Sequence, residues 1–150
     1  MSQVTGESVK SAISRRIVRD FTVDGIAPVV YKEQVLQGFE KPSFFIWTVD
    51  ISQDKRMLNN YTRTYQMEVR YHMADGRMDA YEHLCSVGNT LLESLAYIDI
   101  PVGEIVKPVK GTKMRFTIND DVLLVYVTYT MNIYKQLSLT PSMENLDIIC

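Results

Sequence analysis

Residues 38–72, GFEKPSFFIWTVDISQDKRMLNNYTRTYQMEVRYH, carry the pattern that most limits what this chain can fold into. From 63 to 73 the residues alternate without a break, with Arg63, Tyr65, Met67, Val69, Tyr71 and Met73 on one side and Thr64, Gln66, Glu68, Arg70 and His72 on the other. A period of two with one apolar side is the mark of a half-buried antiparallel strand. A second strand starts at Ser43. In it Phe45, Trp47, Val49 and Ile51 form an all-apolar face expected to pack on helices, with Trp47 in the core, while Phe44, Ile46, Thr48 and Asp50 form a mixed face. The turn at 37–42 leads in, with Gly38 supplying backbone freedom and Pro42 keeping its predecessor out of helical geometry. Residues 52–61 are too polar for a buried element and too long for a tight hairpin, which leaves a loop or an extended hairpin arm.

The flanks supply what such strands need to cover them. From 7 to 21, Val9, Ala12, Ile13, Ile17 and Phe21 recur at helical spacing, with Thr5 or Ser8 as N-cap and Arg15, Arg16 and Arg19 on a solvated side. A weakly alternating strand at 29–36 reads as a sheet edge because Lys32, Glu33 and Gln34 crowd it. After the turn at Asp75-Gly76, Tyr81, Leu84, Cys85, Gly88, Leu91, Leu92, Leu95 and Ala96 repeat at three and four, a second helix running from Met78 and ending before Pro101. Gly88 on that stripe predicts close approach to a neighbouring element. Residues 105–118 read as a strand interrupted at Pro108, with Lys107, Lys110 and Lys113 around Gly111 as a basic loop. Asn119-Asp120-Asp121 is a turn. The last strand, 122–134, is apolar on both faces in its first half, so its second face calls for a cover, and another subunit is the natural one. The expectation is an α+β fold, a mainly antiparallel sheet of about five strands with two helices on one face, in the order α-β-β-β-α-β-β. It forms one domain over 1–137, followed by a C-terminal arm at 138–150.

Composition narrows function. At 150 residues the chain buries roughly 70% of its unfolded surface as a single domain. A net charge of -2 argues against a general nucleic-acid coat. Two distant cysteines, Cys85 and Cys150, make no disulfide framework, and no apolar run signals secretion or a membrane span. The simple reading is function in a reducing cytoplasm.

Catalytic constellations are absent from the pattern: no phosphate loop, no G-x-S-x-G, no H-E-x-x-H, no C-x-x-C. Asp120 and Asp121 suit turn geometry better than acid/base work, and His83 and Cys85, two apart on a helix, face different ways. His72 stands on a polar face with no second ligand at metal spacing and reads as a solvated histidine. No catalytic residue, cofactor or metal ligand is assigned, and the chain is read as a non-enzyme. What remains is the connector Arg56-Met57-Leu58-Asn59-Asn60-Tyr61-Thr62-Arg63-Thr64-Tyr65, where the residues that carry interface energy come together with an exposed methionine and leucine. On composition alone it is equally an ordinary solvated loop.

The segments Gln37-Gly38-Phe39-Glu40-Lys41-Pro42-Ser43-Phe44-Phe45-Ile46, the connector just quoted and Val69-Arg70-Tyr71-His72 together resemble the tail terminator proteins of long-tailed bacteriophages and phage-tail-like particles. That resemblance implies a structural protein of the virion tail and neck, assembled in the bacterial host cytoplasm. It implies a hexameric ring that caps the tail tube, stops its polymerisation and joins it to the neck and head. The implied partners are further copies of itself, the tube protein, a neck or head-completion protein and, in a contractile tail, the sheath. DNA is passing cargo. Interface residues would be Arg56, Met57, Leu58, Asn60, Tyr61 and Arg63. The segment after Tyr134 lies outside the resemblance; by its own residues it is either frayed or an apolar arm that docks on a neighbour through Met143, Leu146, Ile148 and Ile149. The alternatives are a neck or tail-completion protein, or, from another class, a small monomeric binding module or an enzyme.

Overall fold

The computed structural model describes residues 6–33 and 37–134. Among these, the order is α1 (Gly6–Phe21), β1 (Val29–Tyr31), β2 (Ser43–Lys55), β3 (Asn60–His72), α2 (Ala80–Ser94), β4 (Tyr97–Val102), β5 (Ile105–Asn119) and β6 (Val122–Tyr134). The fold is the expected α+β arrangement, with β4 as a sixth strand. The sheet order is β1-β2-β3-β6-β5-β4, antiparallel throughout except for the β1–β2 pair.

The alternating strand sits at the centre. β3 and β6 pair in unbroken register from Asn60↔Tyr134 to His72↔Val122. Residues directly opposite share a face. Tyr65, Met67, Val69 and Tyr71 therefore meet Tyr129, Val127, Val125 and Leu123, all of them buried. α1 adds Val9, Ala12, Ile13 and Ile17 to this core, and α2 adds Leu84, Val87 and Leu91, with Leu95 just past its end. α1 touches both β2 and β4, near the two ends of the strand order, so the curled sheet wraps the helices.

The expected face of β2 is reversed. Phe44 and Ile46 enter the core, while Phe45 and Trp47 lie on the opposite side of the sheet. Register decides this. Phe44 and Ile46 stand opposite inward Tyr71 and Val69, whereas Phe45 and Trp47 stand opposite Arg70 and Glu68. A bulge between Thr48 and Asp50 then flips the parity, so that Ile51 pairs with inward Tyr65. Trp47 is thus not a core residue; it is half-buried, with the Arg70 guanidinium 5.3 Å from its ring centroid. Arg70 also donates to Glu68 at 2.7 Å. On β6, Arg115 of the neighbouring strand lies 4.2 Å over Tyr126, so this outer face is partly roofed by its own cations.

Four further expectations need correction. β1 stops at Tyr31, and residues 34–36 lie outside the described residues. α2 begins at Ala80 rather than Met78; it ends at Ser94, before Pro101 as expected, and Pro101 lies within β4. Met78 and Tyr81 are exposed, so the buried stripe begins at Leu84. The supposed basic loop is continuous strand: Pro108 pairs with Asp99 of β4, and a proline is tolerated where its missing N–H breaks no second ladder. A bulge between Thr112 and Arg115 takes the place of the break.

Gly88 does mark a close approach, since a Cβ there would lie 2.9 Å from the Phe116 ring. Gly111 is tighter still: its Cβ would fall 2.7 Å from the Leu95 carbonyl oxygen, which also accepts a 2.6 Å hydrogen bond from the Tyr129 hydroxyl. Burial pushes the Tyr129 phenol far above its ordinary pKa, keeping it a donor. The end of α2 is thereby pinned to the sheet. Gly111→Ala is expected to lower unfolding stability in urea by about 1–3 kcal/mol. Tyr129→Phe, which strands a buried carbonyl, is expected to cost about as much.

Candidate assembly interface

Beyond the reach of β1, which covers only Ser43, Phe44 and Tyr31's partner Phe45, the far half of β2 continues with β3 as an extended hairpin arm. The sequence left loop and arm open; pairing of Gln53 with Arg63 and Lys55 with Tyr61 makes it an arm. Arg56 N–H donates to the Asn60 carbonyl at 2.8 Å and Asn60 N–H to the Met57 carbonyl at 2.7 Å, closing a compact turn. Polar rungs stiffen it: Arg56 Nε donates to Thr62 Oγ1 at 2.9 Å, Arg63 Nε to Gln53 Oε1 at 2.9 Å, and Arg63 Nη1 to Tyr65 Oη at 3.3 Å. Thr64 and Thr130 hydroxyls meet at 3.3 Å across to β6.

The tip is built against the preferences of its residues. Leu58 has φ 51°, in the left-handed region that costs a leucine about 1–2 kcal/mol, and its side chain is 80% exposed. Met57 is 71% exposed. Neither contributes to the core, so their apolar surface is presented outward at the expense of local stability. The structure brings Arg56, Met57, Leu58, Asn60, Tyr61 and Arg63 together on this arm. Met143, Leu146, Ile148 and Ile149 lie outside the described residues.

A second apolar patch does not stand out in the sequence. Val102, Ile105 and Val106 are exposed at the β4–β5 hairpin, and Tyr97 is exposed further down β4. The available signal was Gly103-Glu104, a two-residue turn between apolar runs, with Gly103 at φ 63°.

The opposite end of the sheet gathers a further group of titratable side chains. A concavity of about 270 Å³ is lined by Lys41, His72, Asp75, Arg77, Asp120 and Asp121 among others. Asp120 and Asp121, both at positive φ, form the β5–β6 turn. His72 is not solvated as its strand pattern predicts; Phe39 and Phe45 approach it at 4.9 and 5.2 Å between ring centroids. Burial, with Lys41 and Arg70 adding to it, lowers its pKa. His83, given no role from sequence, lies with Nε2 2.9 Å from the Tyr71 hydroxyl, and burial lowers its pKa too, helped by Arg77 against an opposing Asp79. Among the described residues no group of three or more His, Cys, Asp or Glu could hold a metal ion.

A family model described as phage tail terminator protein matches residues 8–140. The chain belongs to that family. Membership makes it a structural protein of the virion tail that associates with other tail components. A comparison with curated proteins finds no match. Among solved structures, one chain is 14% identical over 91% of this chain and 99% of its own, with a TM-score of 0.35. At that score the two folds are not equated.

Both histidines have folded-state pKa values below the ordinary 6.5, so the unfolded chain takes up protons first as pH falls. The stability from their neutral rings is complete above about pH 6.5 and drains as pH drops through the lower folded values. The urea midpoint is expected to be lower at about pH 5.5 than at about pH 7.5, with the difference reduced in His72→Gln. An unchanged difference in that variant would assign the effect to His83 or other groups.

Proposed function

We propose that copies of this chain close into a ring, a hexamer in the form its family resemblance implies, that seats on the last ring of tube subunits and ends polymerisation. The other face of the ring then receives the neck and head, and the sheath end where the tail contracts. DNA passes through as cargo, consistent with a net charge of -2 that gives no general affinity for it. The observation that carries this reading is the hairpin arm, whose tip holds an apolar leucine in a left-handed conformation where it serves no core. Arms of this kind supply contact surface without disturbing the domain that bears them. Arg56, Met57, Leu58, Asn60, Tyr61 and Arg63 are assigned to contacts with ring neighbours or the tube, and the apolar Met143, Leu146, Ile148 and Ile149 to a further attachment on a neighbouring tail component.

The test is tube length. Added to polymerising tube protein, the chain is expected to give tubes of bounded length by electron microscopy; tubes that run on unaltered would remove the terminator role. Arg56→Ala together with Arg63→Ala is expected to lower unfolding stability by no more than about 2 kcal/mol, since the pairs with Thr62 and Gln53 are exposed and only the Arg63–Tyr65 contact is part-buried, while tubes lengthen. Deletion of residues 143–150 is expected to spare the domain and weaken attachment, read as loss of the chain from isolated tails.

A further inference from the structure

Resting on the ring just proposed, we infer where its seam lies: the open β2 edge of one copy packs against the β4–β5 hairpin of the next. A closed head-to-tail ring needs two different surfaces on each subunit, placed so that one rotation repeats them. The strand order provides them, with β2 near one end and β5-β4 at the other. Among the described residues β1 pairs only with Ser43, Phe44 and Phe45, so the rest of the β2 edge has no strand beside it. Such an edge is one that folded proteins cover or guard.

Direction adds a constraint. β2 and β6 run the same way, each antiparallel to β3, and the arm tip lies where Asn60 faces Tyr134. β5 runs against β6 and pairs Gly111 with Tyr129, which carries its Ile105 end toward that same tip. The two hairpin tips therefore project from one end of the sheet. A rotation axis running roughly along the strands keeps every tip on one face of the ring and sets the β2 edge of each copy alongside its neighbour's β4–β5 hairpin, tip beside tip.

In that alignment the charges match in order. From the tip inward the arm reads Arg56, Lys55, Asp54, Asp50, positive then negative; the hairpin reads Glu104, Lys107, Lys110, negative then positive, with Asp99 of β4 already paired to Arg16 within the chain. All are exposed, and among the described residues Asp50, Asp54, Lys55, Glu104, Lys107 and Lys110 make no ion pair within the chain. Apolar contact accompanies the charges: Val49 and Ile51 are exposed on the arm, and Val102, Ile105 and Val106 on the hairpin. Arg15 donates to the Asp99 carbonyl at 3.0 Å and α1 packs on β4, so the β4 edge is already occupied there. The seam is side chain against side chain, not a ladder continued between copies.

Charge reversal tests this without touching the core. Asp50→Lys with Asp54→Lys makes the arm positive; Lys107→Glu with Lys110→Glu makes the hairpin negative. Each double variant alone places like charges at every seam and is expected to associate at least about tenfold more weakly than the native chain by sedimentation velocity, with and without tube protein. An equimolar mixture of the two is expected to recover association as alternating copies, as is a chain carrying all four changes. Raising salt from about 0.1 M to about 1 M, which cuts the screening length from about 10 Å to about 3 Å, should weaken the native seam and relieve the repulsion in the variants. A native chain that stays monomeric even on tube ends overturns the ring and the seam with it. Native rings that tolerate both reversals, or reversals that the mixture fails to rescue, overturn the seam alone.

Discussion

The structure depends on the ladder between β3 and β6. Four pairs of facing residues, Tyr65 with Tyr129, Met67 with Val127, Val69 with Val125 and Tyr71 with Leu123, put eight buried side chains on one face with no break in register. A slip of β3 by one residue would turn its four to the outer face and bring Glu68 and Arg70 against the helices, so the hydrophobic pattern holds this register strongly. Everything else is placed from it. The helices cover its apolar side, the arm is its continuation past the helices, and Tyr129 reaches from it to the end of α2.

Both strands that flank the ladder carry a bulge, at Thr48/Asp50 on β2 and Thr112/Arg115 on β5. Each inserts a change of parity, so the inward residues are even-numbered before the β2 bulge and odd-numbered after it, and the reverse on β5. Bulges bend and twist the strands that carry them. Two of them on opposite sides of a straight central pair curl the sheet enough for α1 to touch both β2 and β4. The same bulges explain where reading the residues alone went astray. The alternation of β3 and the inward set of β6 were legible because those strands are uninterrupted. The apolar series Phe45, Trp47, Val49, Ile51 looked like one face only because a fixed period of two was carried through a position where the structure abandons it. The register of β2 against β3 would have corrected its first half, since a residue opposite Arg70 cannot share a face with Tyr71.

β4 escaped notice for another reason. Only Leu95 and Ala96 separate it from α2, and Ile98 and Ile100 are too few to declare a period of their own beside Pro101. Its hydrogen-bonding partner, residues 105–110, reads in the sequence as a strand with a proline break and a lysine loop. Each half of that hairpin is weak by itself, and the pair is recognisable only when both are read together across the Gly103-Glu104 turn. The apolar tip formed by Val102, Ile105 and Val106 was hidden with it, which is why one candidate surface was visible in the sequence and its counterpart was not.

The arm was legible as composition and undecided as geometry. Arginine, tyrosine, methionine and leucine in one connector fit both a contact surface and a solvated loop, and nothing local separates the two. What separates them is the cost of the conformation. A solvated turn at position 58 would be relieved by glycine or asparagine, which accept positive φ at little cost, whereas this chain holds a leucine there with its side chain in solvent. The backbone conformation closes the turn, but the leucine side chain adds nothing to the core, so its exposed apolar surface is suited to a contact outside the molecule. Among the described residues the domain divides along the strands: the inner half of the central ladder secures the fold with buried pairs, and the outer half, beyond the reach of β1, carries the exposed apolar and polar surface of the arm.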